Sequence, residues 1–252
     1  MELEGKSIII TGASSGIGAA AALLFAAEGA NLVLGARRSK ELEDVANQIS
    51  SSGGKAVRLA GDVKDEQYAQ SLVDLARSEF GQLDGAFNNV GIIGELNPIA
   101  DMSIDNWNAV MSTNLTSAFW AAKAQIPAMK QQGQGSIVFT SSFVGHSNGG
   151  MPGMSAYAAS KAGLIGFAKA LASEYAANSI RINTLLPGGT ITSIMGEVNP
   201  STLEFIASLH PMKRMATAVE IAQAALFMLS DRSSFITGSP MSVDGGISVR
   251  LV

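Results

Sequence analysis

Short runs of consecutive apolar residues alternate along this chain with longer stretches in which apolar positions recur every three or four residues. Ser7-Ile8-Ile9-Ile10-Thr11 predicts a buried strand, and the run from Ile17 to Glu28, closed by Gly29, predicts a helix. Asn31-Leu32-Val33-Leu34 predicts a second strand. A helix capped by Ser39 follows to about Ser51 and is ended by Gly53-Gly54. Lys55 to Leu59 reads as a third strand, helical spacing returns at Tyr68, Leu72, Leu75, Ala76 and Phe80, and Leu83 to Phe87 is a fourth strand.

The second half repeats the rhythm. A helix is expected from about Ser103 to Met129, then a strand over Ser136–Thr140 and a Gly-rich loop. A helix over Ser155–Ala177 and a strand over Ile180–Leu186 come next. Thr217-Ala218-Val219-Glu220 fits a capping box for a helix ending near Leu229, and Pro240 to Val243 reads as a last strand. Apolar strands that alternate with long helices pair in parallel and carry helices on both faces. No linker, repeat or low-complexity tract divides the chain. The pattern predicts one doubly wound α/β domain over residues 1–252.

Composition narrows the function. The chain has 252 residues, 47% apolar and 15% charged, with a net charge of −4, so disorder is excluded. Mild acidity lacks the basic footprint that nucleic acid attracts. With no cysteine there is no disulfide, thiolate nucleophile or cysteine-bound metal, and two histidines, His146 and His210, cannot build a histidine-rich site, so no metal is expected. The longest apolar stretch, Ile17 to Ala27, is about half of what a membrane span needs, and the opening Met1-Glu2-Leu3-Glu4 is acidic where a signal peptide is basic. A soluble cytoplasmic protein is the expectation.

Thr11-Gly12-Ala13-Ser14-Ser15-Gly16-Ile17-Gly18 lies between the first strand and the first helix. Glycines there allow a tight turn and close approach of a pyrophosphate to the backbone, while the helix N-terminus offers unpaired N–H groups. A nucleotide-binding loop is predicted at Gly12, Ser14, Ser15, Gly16, Ile17 and Gly18. An acid near the tip of the second strand would bind the 2′-hydroxyl of NAD. Here Leu34-Gly35-Ala36-Arg37-Arg38 has none. Arg37 and Arg38 suit the 2′-phosphate of NADPH, with NADH as the alternative; a solvated surface pair is the plainer reading.

Tyr157-Ala158-Ala159-Ser160-Lys161 places a phenol and an amine four apart on one helix face. A neighbouring cation would draw the Tyr pKa from about 10 toward neutrality and fit it for proton transfer to a carbonyl oxygen. The same spacing occurs in ordinary amphipathic helices. Ser141-Ser142, at the end of the preceding strand, supplies a hydroxyl for the substrate oxygen.

Taken in order, Thr11–Gly18, Asp62-Val63, Asn88-Asn89-Val90-Gly91, Asn114, Ser142, Tyr157…Lys161, Pro187-Gly188, Ile236-Thr237-Gly238 and Val243-Asp244-Gly245-Gly246 resemble the short-chain dehydrogenase/reductase family over nearly the whole chain. The resemblance implies a single Rossmann-like domain and a catalytic set of Asn114, Ser142, Tyr157 and Lys161. Ser142 would orient the carbonyl and Tyr157 would act as acid and base. Lys161 would hold the nicotinamide ribose and lower the Tyr157 pKa. Asn114 would distort its helix and hold a water on the proton path. Asp62 would meet the adenine edge, Val63 would contribute backbone, and Asn89 would hold the adenosine ribose. Pro187, Gly188, Thr190 and Thr192 would face the nicotinamide carboxamide. A homotetramer is implied as well.

The family's usual Ala-Gly ending of the fourth-strand motif is Val90-Gly91 here, and Ser142 to Tyr157 is fifteen residues, longer than is common. The expected substrate wall draws on Ile92, Ile93, Val144, His146, Met151, Met154 and Met195, which suits a hydrophobic ketone or alcohol. His146 is expected to face solvent, Thr190 to Leu209 to form a lid, and no arginine or lysine to stand in the substrate loops.

Overall fold

The computed structural model describes residues 1–147, 150–192 and 199–250. Seven strands form one sheet: β1 (Ser7–Thr11), β2 (Asn31–Ala36), β3 (Lys55–Ala60), β4 (Gly85–Asn88), β5 (Gly135–Thr140), β6 (Ile180–Pro187) and β7 (Pro240–Val243). Their order is β3-β2-β1-β4-β5-β6-β7, with every neighbouring pair parallel. The helices are α1 (Gly16–Ala27), α2 (Ser39–Ser51), α3 (Glu66–Phe80), α4 (Ile104–Met111), α5 (Ser117–Gln132), α6 (Ser155–Tyr175), α7 (Pro200–Leu209) and α8 (Ala218–Leu229). The doubly wound domain expected from the pattern is the one observed.

Side-chain alternation in the strands divides the core in two. Ile8, Ile10, Leu32 and Leu34 pack with Phe25 of α1 and Ile221 and Leu226 of α8 on one face. Ile9 and Val33 pack with Leu72 of α3, Ala122 of α5 and Leu164 of α6 on the other. Both faces are covered, which is why the strands read as unbroken apolar runs rather than alternating ones. Phe87 is fully buried and meets Phe25 with ring centroids 6.2 Å apart. Phe87→Ala is expected to cost about 3–5 kcal/mol, read from urea unfolding, because the void left in a sheet core cannot collapse.

Element ends move by a residue or two in several places, and four differences from the sequence reading stand out. Ser39 does not cap α2: Arg38 holds the cap position, without a side-chain cap bond. The fourth strand begins at Gly85, not Leu83. The long helix over Ser103–Met129 is two α-helices joined by a π-helical turn at Ser112–Thr116, and it runs on past Pro127 to Gln132, where Gly133 ends it in the left-handed conformation. The lid expected over Thr190–Leu209 includes α7, capped by Asn199, whereas 193–198 lie outside the described residues. The capping box of Thr217 and Glu220 starts α8 as expected. Among the described residues no helix is long and apolar enough to cross a membrane.

Parallel pairing brings the C-terminal ends of all the strands to one edge. The chain reverses its winding direction between β1 and β4, and this opens a crevice at their tips.

Candidate active site

A single cleft of about 980 Å³ runs along that edge. Its lining includes Gly12, Ser14, Ser15, Gly16 and Ile17 of the β1–α1 loop, Arg37 and Arg38 beyond β2, and Asp62 and Val63 beyond β3. Asn89, Ser142, Tyr157, Lys161, Pro187, Gly188, Thr190 and Thr192 complete the set. Of the catalytic and nucleotide-binding residues expected from the sequence, Gly18 and Asn114 do not line it.

The loop before α1 owes its shape to glycine. Gly12 and Gly16 have φ of +72° and +55°, and a Cβ on Gly18 would overlap the Gly12 carbonyl oxygen. Gly18 thus acts from behind, letting the helix start close against the turn. The first turn of α1 has no acidic residue, and no side-chain cap covers its N–H groups. That is the donor set and the charge that a pyrophosphate needs. Arg38 donates to Ser14 Oγ at 3.1 Å and Ser15 Oγ at 2.6 Å, tying the β2 tip to this loop. Arg37 is exposed beside it. Asp62 accepts from the Lys64 backbone N–H at 3.0 Å and so shapes its own turn. Asn89 is held between strands: its N–H donates to Thr11 Oγ1 at 3.2 Å, and its Oδ1 accepts from Thr140 Oγ1 at 3.2 Å. An uncapped helix start, glycine-made space and nearby guanidiniums fit a phosphorylated dinucleotide.

The other end of the cleft holds the titratable groups. Adjacent strand residues point to opposite sides, and this distinguishes the two serines beyond β5. Ser141 Oγ donates to the Lys161 carbonyl at 2.7 Å inside the core. Ser142 hydrogen-bonds the Tyr157 hydroxyl, which stabilises the ionised phenol. Lys161 is buried, donates from Nζ to Thr140 O at 2.7 Å, and lies 5.7 Å from the Tyr157 ring centroid. Burial brings its amine down to about 8.

The Tyr157 expectation needs correction. Burial pushes its phenol above the ordinary value, and the Ser142 hydrogen bond offsets only part of the rise. An ionised phenol would lose most of its hydration here. The resting side chain is therefore a protonated acid near neutral pH.

Asn114 sits one layer behind, in the π-helical turn. Its Nδ2 donates to Ile92 O at 2.9 Å and Ser160 Oγ at 3.0 Å, and its Oδ1 accepts from Ile92 N–H at 2.8 Å. Ser160 in turn donates to Tyr157 O at 2.7 Å. Asn114 also lines a separate cavity of about 20 Å³, room for a single water, with Asn88 and Gln125. Those two exchange amide hydrogen bonds at 2.9 and 3.0 Å.

Gly91 enters the sequence reading only as the end of the fourth-strand motif, and the roles of Gly145, His210 and Arg250 carry no signal there. A Cβ on Gly91 would stand 3.0 Å from Lys161 Nζ. Gly145 leaves so little room that a Cβ there would meet the Lys161 backbone. His210 and Arg250 reach the cleft from the far end of the chain. Arg250 adds a cation at the cleft from outside the substrate loops, whose Thr190–Leu209 stretch has no arginine or lysine of its own. Ile92, Ile93, Val144, Met151 and Met154 line the cleft as expected, whereas His146 is exposed and outside it and Met195 lies outside the described residues.

A family model described as enoyl-(acyl carrier protein) reductase matches residues 12–248. The chain is 38% identical to the cyclohexanol dehydrogenase of Acinetobacter sp. (strain SE19), over 99% of this chain and 97% of that protein. It is 37% identical to a 3-oxoacyl-(acyl-carrier-protein) reductase of Thermotoga maritima, over 99% and 100%. The crystal structure of levodione reductase superposes with a TM-score of 0.94 at 32% identity, covering 99% of this chain and all of that one.

Proposed function

Because the chain belongs to the short-chain dehydrogenase/reductase family, an oxidoreductase family using nicotinamide nucleotides, we propose that it transfers hydride between NADPH and a hydrophobic ketone or the corresponding secondary alcohol. One observation carries this reading. A single cleft joins an uncapped helix start and two arginines to the Ser142, Tyr157 and Lys161 side chains.

The nicotinamide supplies the hydride. The protein's own groups do the rest. Ser142 holds the carbonyl oxygen beside Tyr157, and the protonated phenol delivers its proton to that oxygen as negative charge develops. Lys161, fixed by Thr140 O, holds the nicotinamide ribose and keeps a positive charge near the phenol. Asn114 ties the Ile92 segment to α6 through Ser160, on the side from which the proton is resupplied. Asp62 and Val63 serve the adenine, Asn89 its ribose, and Pro187, Gly188, Thr190 and Thr192 the carboxamide. A phenol held protonated favours the reducing direction. The apolar wall of Ile93, Val144, Met151 and Met154 suits a ring ketone or the matching ring alcohol, in keeping with a relative named for cyclohexanol and a structural neighbour named for levodione.

The nucleotide is tested by fluorescence titration. NADPH is expected to bind more tightly than NADH, because Arg37 offers a guanidinium at a tip with no acid. Ala36→Asp with Arg37→Leu is expected to reverse that order, since a carboxylate there accepts from a 2′-hydroxyl and repels a 2′-phosphate. Equal or tighter binding of NADH by the unmodified protein would overturn the NADPH assignment.

The homotetramer is supported by apolar side chains left at the surface, Ile104 and Phe119 on α4 and α5 and Phe235 before β7. Sedimentation at assay concentration is expected to give four times the 26.0 kDa of one chain. An active monomer would contradict it.

A further inference from the structure

Two segments that line the cleft, Gly188–Thr190 and the end of α7, meet at one imidazole. His210 follows α7 directly and is only 2% exposed. Its Nε2 accepts the backbone N–H of Gly189 at 2.9 Å, and its Nδ1 lies 2.8 Å from Ile206 O in the last turn of α7. A backbone N–H can only donate and a carbonyl can only accept. The ring is therefore neutral, with its proton on Nδ1.

The ring is close-packed as well as hydrogen-bonded. A Cβ on Gly189 would stand 2.8 Å from His210 Cε1, and one on Gly245 would stand 3.4 Å from Cδ2. The rest of the segment has its own anchors: Gly188 N–H on Val243 O at 3.0 Å, Ala216 N–H on Gly189 O at 2.9 Å, and Ile191 N–H on Ala216 O at 3.0 Å. The Gly189 N–H is held by His210. Arg250 secures the same end of α7, donating to Ser208 O at 3.3 Å and Leu209 O at 3.1 Å.

We propose that His210 is a positioning residue for the nicotinamide half of the nucleotide: it pins the Gly188–Thr190 loop to helix α7 and so fixes the surface on which the carboxamide rests. The proposal rests on the nucleotide reading above, and it assigns His210 no contact with substrate or cofactor. The arginine-bearing end of the cleft is built on β1 and β2, remote in sequence from His210, and does not depend on it.

The dependence on half of the ligand gives the test. Asn can place a donor where Nδ1 is but leaves nothing at Nε2, whereas Gln can place an acceptor near Nε2. NADPH, NADH and their nicotinamide-free fragments, 2′-phospho-ADP-ribose and ADP-ribose, are titrated by fluorescence or calorimetry against each variant. His210→Asn is expected to bind the preferred dinucleotide about tenfold more weakly, the effect of one buried N–H losing its partner, and its fragment unchanged. His210→Gln is expected to restore most of the loss. Should His210→Asn not melt cooperatively, Gly189→Ala presses on the ring from the other side and is expected to give the same split. Equal loss for dinucleotide and fragment would mean that His210 only supports the fold, and no loss for either would mean that the loop needs no pin; each overturns the proposal while nucleotide binding stands. An unmodified protein that binds none of the four ligands would overturn the nucleotide reading and this proposal with it.

Discussion

Tyr157→Phe is expected to bind NADPH as the unmodified protein does and to reduce ketones at least about a hundredfold more slowly. The loss is the low end of what general acid catalysis contributes. The substitution removes one oxygen and leaves the ring. The phosphate loop, the arginines and Lys161 keep their contacts, so fluorescence titration separates binding from chemistry. Because burial holds the phenol protonated, reduction needs no prior proton uptake by Tyr157. Oxidation of an alcohol needs the phenolate and is expected to gain as pH rises. A Tyr157→Phe protein that reduced ketones at near-normal rate would remove the basis of the catalytic assignment.

Lys161→Ala is expected to lose both nucleotide affinity and turnover, the latter by at least about a hundredfold, because one amine serves both. Its pH dependence has a definite sign. A buried amine at about 8, below the ordinary 10.5, is charged at neutral pH and loses its charge as pH rises through about 8. Ketone reduction is therefore expected to fall across that interval, since both the ammonium and the protonated phenol are favoured on the acid side. The stability linkage runs in the opposite sense. The unfolded chain holds this proton up to about 10.5 and the folded chain only to about 8, so folding strengthens as pH rises between them. In Lys161→Ala both the kinetic limb and this stability gain should vanish. A variant that kept the limb near 8 would assign it to another group.

The architecture is legible in the residues because its signals are local and repeated. Ile8-Ile9-Ile10 is apolar at every position only because helices cover both faces, and that same fact makes the pairing parallel. The catalytic candidates are legible as well, since a phenol and an amine four apart need only a helix to meet. What escapes is whatever depends on long-range approach. Nothing near His210 announces that the N–H of Gly189, twenty-one positions earlier, ends on its ring. Arg250 is distant in sequence from the substrate loops, and only the fold returns it to α7. The Tyr157 shift escapes for a related reason. Neighbours in sequence show Lys161 but not the burial that outweighs it. The residues alone leave Ser141 and Ser142 open; the resemblance names Ser142, and the physical reason, Ser141 Oγ turned to the Lys161 carbonyl, needs the fold.

Gly145 and Ser141 both grip the backbone of Lys161, one by close packing and one by a hydrogen bond. The serine end of the site and the lysine are thus referenced to each other before the chain reaches the stretch that leads to Tyr157. The extra length between Ser142 and Tyr157 falls mostly beyond that grip. Changes of length or character there are expected to leave the Tyr157 side chain in place, since the grip on Lys161 precedes them. Under the proposed function such a stretch is an interchangeable cassette: rewriting the wall at Met151 and Met154 is expected to change the range of ketones accepted while Ser142, Tyr157 and Lys161 stay in place. Diversification, in nature or in a directed library, is channelled into those positions, because a change on the Gly145 side would have to move the main chain of α6.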